Sequence, residues 1–244
     1  MPKLILYHAL FSTCSQKVRY TLGVKGLTYE SRLMDLGKGE HLEDWYLAIN
    51  PNGVVPALHD GNINVIDSSV ICEYLDEVYS QPRLSPADPC DRAGMRAWMR
   101  YFEEVPTSAI RAPSFNTLFV KSIAARSDED KRRMQEKSPL RKHFYSKMGD
   151  NGFPPEVIAE SMERLRSCLT RVNASLSQCY PFLLGENMTI ADIVLLPTIV
   201  RMEDLGLESQ WADLPAIRRW YGLMKQNPAF EKAYLPGSRF PQPK

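Results

Sequence analysis

Every segment of this 244-residue chain that reads as a β-strand lies before Asp67, and everything beyond the stretch YSQPRLSPADP reads as helix. Lys3 to His8 is a short apolar run with strand character, and Cys14 to Lys25 carries Val18 and Leu22 at helical spacing until Gly26 stops it. Tyr29 to Leu33 alternates as a strand, and His41 to Ile49 is a short helical stretch. Val55 to His59 and Asn64 to Ile66 are strands joined through Asp60-Gly61, and Ser68 to Val78 returns to helical spacing. Strand, helix, strand, helix, strand, strand, helix makes a small mixed sheet whose first two strands run parallel through a helical crossover.

That order is thioredoxin-like, and it fills residues 1–80. Residues 81–89 hold three prolines and few apolar groups, which suits a linker and neither a helix nor a central strand. Over 90–244 the strand signals vanish. Helical patterns at Cys90–Ala112, Ser114–Lys147, Glu156–Ser177, Ile190–Met202 and Leu214–Lys225 predict an all-α second domain. Arg126 to Lys142, dense in both charge signs, reads as a solvated face. Thr189-x-x-Asp192 reads as a capping box, with Met188 and Ile193 at the hydrophobic-staple positions; such a cap contributes roughly 1 kcal/mol.

A hydrophobic content of 44% supports a buried core in each part. Lys plus Arg (30) nearly cancel Asp plus Glu (29), so the chain lacks the basic excess that binding nucleic acid requires, and no nucleic-acid partner is expected. The opening MPKLILYHAL is too short an apolar run for a signal peptide and no stretch is long enough to cross a bilayer, so a cytoplasmic location without a membrane partner is expected. Five cysteines, Cys14, Cys72, Cys90, Cys168 and Cys179, are odd in number and lack metal-type spacing. Neither a disulfide framework nor a metal is expected, and all but Cys14 read as small core residues.

Three segments carry candidate chemistry. In FSTCSQKVR, Phe11 to Arg19, the chain passes from the first strand into the first helix, where unpaired N–H groups and the helix dipole favour an anion. Thr13 with Gln16 fits a capping box, which would put Cys14 at the first helical position and Ser15 at the second. A free thiol titrates near ~8.5, and lowering that by two units requires ~2.7 kcal/mol of differential stabilisation. A hydroxyl of Ser12 or Ser15 together with the helix end can supply it to a bound thiol; the same helix end can instead activate Cys14 itself, and plain helix capping is the third reading. In NPNGVVPAL, Pro56 bends the chain at the start of its strand, and a cis Val55-Pro56 bond would turn the Val55 backbone, beside Val54, toward a ligand. In IDSSVI, Asp67 and Ser68 suit the ammonium and carboxylate of an α-amino acid end, or else cap the next helix.

Taken together, these segments resemble the cytosolic glutathione transferase superfamily. Its N-terminal half shows a serine or cysteine turn, an NPxGxVPxL stretch, and an acidic-Ser pair opening a helix that ends in YLDE; here that last run is DSSVICEYLDE, Asp67 to Glu77. The likeness continues through Thr189-Ile190-Ala191-Asp192 and the closing LPAIRRWYGLMKQNPAF. It implies a thioredoxin-like domain followed by an all-helical domain, with glutathione as co-substrate and a small hydrophobic electrophile, aromatic in character, as the second substrate. It implies that Val55, flanked by Val54 and Pro56, pairs with the cysteinyl backbone of glutathione, that Asp67 and Ser68 hold its γ-glutamyl end, and that His41 takes the glycyl carboxylate. Asp67 stands where many relatives use glutamate.

Subclass likenesses divide over the thiol contact. The zeta-like SSCS pattern points to Ser12, the SxCSxK pattern of reductive dehalogenases to Cys14, and the β-etherase likeness in DWYLAINPNGVVPAL, VICEYLDEVY and PADP to Ser15. The leading expectation is glutathione thiolate attack on an aryl ether or halide; the alternatives are Cys14-dependent thiol transfer or dehalogenation, and a binding module without catalysis. Phe11, Tyr101, Arg111 and Phe115 are expected around the second substrate. The resemblance further implies a homodimer, for which Met95, Trp98 and Met99 are the candidate contact residues.

Overall fold

The computed structural model describes residues 4–149, 151–179 and 181–240, side chains of 133–135 excepted; Lys3, expected to open the first strand, and the last four residues of the expected second domain lie outside that description. Strands β1 (Ile5–His8), β2 (Glu30–Leu33), β3 (Ala57–Asp60) and β4 (Ile63–Ile66) form one sheet in the order β2-β1-β3-β4. β1 runs parallel to β2, Ile5 opposite Glu30, and antiparallel to β3, Leu6 opposite Leu58. Strand alternation buries Leu6 and His8 completely. The third strand starts at Ala57 and not at Val55, because Pro56 has no N–H for the ladder.

Helix α1 (Thr13–Val24) is buried from Ser15 to Leu22 between α3 (Ser68–Val78) and the later helices. Its charges are buried too. Lys17 Nζ donates to Glu103 Oε1 at 2.6 Å and to Thr107 at 3.4 Å, both in the second domain. Arg19 donates to the Ala233 carbonyl at 2.7 Å. Apolar spacing alone did not foresee that α1 docks the helical half through salt and hydrogen bonds.

The segment that follows α3 is anchored. Lys25 Nζ donates to Asp76 Oδ1 at 2.8 Å and to the Tyr79 and Pro82 carbonyls, while Asp76 accepts the Leu84 and Ser85 N–H groups. Burial would raise the Asp76 carboxyl, but these donors outweigh it and hold it below the usual range.

Between α1 and α3, α2 (Asp44–Leu47) is only a short turn of helix. Beyond the linker, α4 (Pro89–Glu104) gives way to α5 (Pro106–Ala109) where Pro106 interrupts the ladder, so the expected helix over 90–112 is broken. The expected helix over 114–147 is also divided: α6 (Arg111–Ser114), a π-turn (Phe115–Phe119), α7 (Val120–Ala124), α8 (Asp128–Glu136) and α9 (Lys142–Tyr145) replace it. α10 (Pro155–Cys179), the buried α11 (Ile190–Asp204), α12 (Pro215–Gln226) and α13 (Ala229–Ala233) complete the bundle.

Met95 and Met99 are fully spent in this chain's own core, and Trp98 stacks on Phe102, so the three expected contact residues carry no argument for a subunit interface. Among the cysteines, Cys72 and Cys168 are core thiols, pushed up to about 12 by burial, whereas Cys90 is exposed and Cys179 half-buried, against expectation. No described helix is long and apolar enough to cross a membrane.

Candidate functional site

The β1–α1 turn, the segment before β3 and the irregular helices of the second domain enclose a cavity of about 670 Å³. Phe11, Ser12, Cys14, His41, Val54, Val55, Arg111 and Phe115, all foreseen, line it. Ser15, Pro56, Asp67, Ser68 and Tyr101 do not.

Helix α1 begins one residue earlier than its sequence suggests. Ser12, not Thr13, is the cap: its Oγ accepts the Ser15 N–H at 3.2 Å, with Ser12 in extended backbone (φ −72°, ψ 116°). The hydroxyl makes no other hydrogen bond among the described residues, so its proton is available to the cavity. Cys14 is therefore the second helical residue and lines the cavity, while Ser15 is the third and is fully buried. The Ser15 Oγ accepts the Ala9 N–H at 3.3 Å and so stabilises the turn from beneath. A shift of one position rotates the helix by about 100°, and this takes Ser15 out of the site.

Arg19 fixes the turn from the other side, donating to Ala9 and Leu10 carbonyls at 3.1 and 2.9 Å. Arg201, buried in α11, donates to the Phe11 carbonyl. Tyr46 Oη and Asn50 Nδ2 both donate to the Val54 carbonyl, at 2.8 and 2.7 Å, which sets the direction of the chain entering the cis bond.

Asp67 caps α3 and, with φ 71°, occupies the left-handed region that glycine favours. Its Oδ1 accepts Ser69 N–H at 3.0 Å, Val70 N–H at 3.2 Å and Ser69 Oγ at 2.9 Å. Oδ2 makes no hydrogen bond among the described residues, and Asp67 is exposed. Capping is thus realised in the fold, and one carboxylate oxygen is left over. The one Ser69 Oγ proton is shared between Asp67 Oδ1 and, at 3.2 Å, Glu103 Oε1, which joins this cap to the Lys17–Glu103 pair. Burial would lower the Lys17 ammonium, yet Glu103 and the nearby Cys14 overcome it and the pKa is raised.

His41 is buried, and its Nδ1 has no hydrogen-bond partner. Burial first, then the Arg126 charge, pull its pKa down to about 4. A pH titration of the ligand-free protein by nitrogen-15 NMR should therefore show a neutral His41 ring down to about pH 4; protonation near 6.5 would mean that the imidazole is open to water.

Tyr101 was misplaced from sequence because the face of α4 could not be assigned: its ring packs against α10, with the Arg171 guanidinium 4.1 Å above it. Residues that sequence reading missed supply much of the second wall. Phe119, Phe144 and Tyr145 join Phe115, with ring centroids 5.3, 5.0 and 5.9 Å from it; behind the lining, Phe240 stacks on Phe11 at 4.2 Å. Apart from Phe240, these side chains sit on the π-turn and α9, inside what read as a solvated or regular helical stretch, so helical periodicity carried no signal for them.

A family model described as the glutathione S-transferase N-terminal domain matches residues 6–83, and one described as its C-terminal domain matches residues 155–222. Protein LigF of Sphingobium sp. (strain NBRC 103272 / SYK-6) is 35% identical over 185 residues, covering 73% of this chain and 71% of LigF. The crystal structure of the beta-etherase LigF superposes with a TM-score of 0.85 at 28% identity, over 95% of this chain and 98% of that one. Tetrachloro-P-hydroquinone reductive dehalogenase of Sphingobium chlorophenolicum is 25% identical over 249 residues, 96% of each chain.

Proposed function

Because the chain belongs to the glutathione S-transferase family, we propose that it activates the thiol of glutathione for attack on an aromatic ether or halide in the cavity between its domains. The observation that carries this reading is the Ser12 hydroxyl, whose oxygen caps α1 while its proton is free at the cavity wall. Beside it the amino end of α1, with Thr13 and Cys14 at its first two positions, favours negative charge. The thiol releases its proton to water, and the thiolate left there is held by both.

The rest of the tripeptide follows the cavity edge. The Val55 backbone pairs with the cysteinyl unit, Asp67 Oδ2 and Ser68 receive the γ-glutamyl end, and the neutral His41, with Arg126 nearby, donates to the glycyl carboxylate. The aromatic wall orients the electrophile. The sulfur then forms a bond to carbon as the carbon–oxygen or carbon–halogen bond breaks; the leaving group departs with the electron pair and an alkoxide or phenolate takes its proton from water. LigF, whose crystal structure is that of a beta-etherase, supports the ether arm, and the dehalogenase relative supports the halide arm.

A second reading makes Cys14 the nucleophile. It is favoured by one observation: Cys14 lines the cavity from the second position of α1, at the helix's amino end. In that case its thiolate attacks a glutathione mixed disulfide, forming a Cys14–glutathione disulfide and releasing the other thiolate.

Two substitutions separate the readings. For displacement, Ser12→Ala should lower kcat about 100-fold, an effect of ~2.7 kcal/mol, while Cys14→Ala stays within a few-fold of the parent. The reverse pattern, with a glutathione mixed disulfide as substrate, would establish thiol transfer. Absence of any calorimetric signal with reduced glutathione at millimolar concentration rules out both.

A further inference from the structure

The cavity has more positive charge than glutathione chemistry uses. Arg111, Arg126, Arg141 and Arg201 line it, against Asp35 and Glu40. Both acids lie at the β2 end and are engaged: Glu40 Oε2 accepts the Asp35 N–H at 2.7 Å, and Asp35 pairs with Lys38. Arg201 is held by the Phe11 carbonyl, and Arg126 stands beside His41. That leaves Arg111, at the start of α6, and Arg141, just before α9.

Neither Arg111 nor Arg141 has a carboxylate partner among the described residues. The carboxylate whose charge reaches Arg111 is that of Glu103, which is already engaged by Lys17 and Ser69. Burial, and then the repulsion of Arg141, pull the Arg111 guanidinium down to about 10. Two like charges facing one cavity without a counter-ion are costly unless something anionic enters. The surroundings specify what that is. Phe115, Phe144 and Tyr145 stand alongside with their rings edge-on to one another, a surface for an aromatic plane, and Cys14 lines the same cavity at the thiolate end.

We infer that the second substrate is an aromatic acid, its ring seated on the Phe115, Phe144 and Tyr145 wall and its carboxylate bridging the guanidinium groups of Arg111 and Arg141. The assignment rests on the transferase reading above for the identity of the cavity, and it narrows the electrophile from any aryl ether or halide to one that carries a carboxylate. Guanidinium groups suit this role, since each can present two parallel N–H donors to a carboxylate. The carboxylates of glutathione are the competing source of negative charge.

Calorimetry with para-phenoxybenzoate and its methyl ester, on the protein with and without saturating glutathione, separates these sources. The acid should bind at least about tenfold more tightly than the ester, and Arg111→Met and Arg141→Met should each cost the acid about tenfold while glutathione affinity holds. Equal affinity of acid and ester for the unmodified protein overturns the inference without recourse to any variant. A loss of glutathione affinity in the variants, with acid binding retained, assigns the arginines to the tripeptide and overturns it too. If the acid preference appears but glutathione does not bind, the transferase reading fails while the anion site stands.

Discussion

Replacing Asp192 by alanine is expected to lower the free energy of unfolding by about 4 kcal/mol, several times the value of an ordinary helix cap. The carboxylate closes the capping box at the start of α11, accepting Thr189 N–H at 2.9 Å and Thr189 Oγ1 at 3.0 Å. It also accepts the Leu183 N–H at 3.1 Å and the Trp220 indole N–H at 2.9 Å. One buried group thus ties α11, α12 and the preceding loop together. Alanine removes the acceptor and leaves donors buried without partners, each costing roughly 1–3 kcal/mol. Urea titration of Asp192→Ala and Thr189→Ala measures this directly. Thr189→Ala should cost about 1 kcal/mol; if the two variants match, Asp192 is a cap and nothing more.

The capping box was readable because it is local: four consecutive positions, Thr189 to Asp192, contain it. Trp220 is far away in sequence, and nothing in a spacing rule says that its indole points at Asp192. The same division runs through the rest of the molecule. The thioredoxin-like half was legible because its strands alternate and its turns carry Asp60-Gly61 and Pro56. The irregular region from Arg111 to Tyr145 was not, because its side chains follow a π-turn and short helices whose phase no single period describes.

Candidate-site residues divide in the same way. Ser12, Cys14, Val55 and His41 lie on short segments at or between element ends, where few conformations are open, and the fold brings them to one cavity. Ser15 was lost to a one-residue error in the cap, and Tyr101 to an unassigned helix face. Lys17 and Arg19 look like ordinary exposed helix charges in the sequence and are both buried. A charged residue is removed from water only when partners offset the cost, and the partners of Lys17 and Arg19 in the helical half, Glu103 and the Ala233 carbonyl, are visible only in three dimensions.

Arg19 gives the sharpest test of how the site is held. Its guanidinium donates to the Ala9, Leu10 and Ala233 carbonyls and, at 3.0 Å, to His8 Nδ1. Because arginine only donates, His8 carries its proton on Nε2 and passes it toward Ser31 Oγ at 2.7 Å. Burial first and Arg19 second pull His8 down to about 4. Between that value and the ordinary 6.5 the unfolded chain binds a proton that the folded one refuses. The contribution of His8 to stability is therefore full above pH 6.5 and is lost as the pH falls toward 4. Arg19→Met keeps the volume but leaves the acceptors unpaired, and should cost about 3–5 kcal/mol in urea unfolding at pH 7.5. It should also raise the His8 pKa, so that less stability is lost on acidification. Turnover should fall about tenfold at saturating glutathione, since the Ala9–Leu10 turn sets the position of Ser12. Lysine at position 19 should not rescue it, because one ammonium cannot span acceptors on the β1–α1 turn and on α13. An unmoved His8 titration together with a stability loss below about 1 kcal/mol would mean that the turn is fixed by Ser15 and Arg201, and that Arg19 only accompanies them.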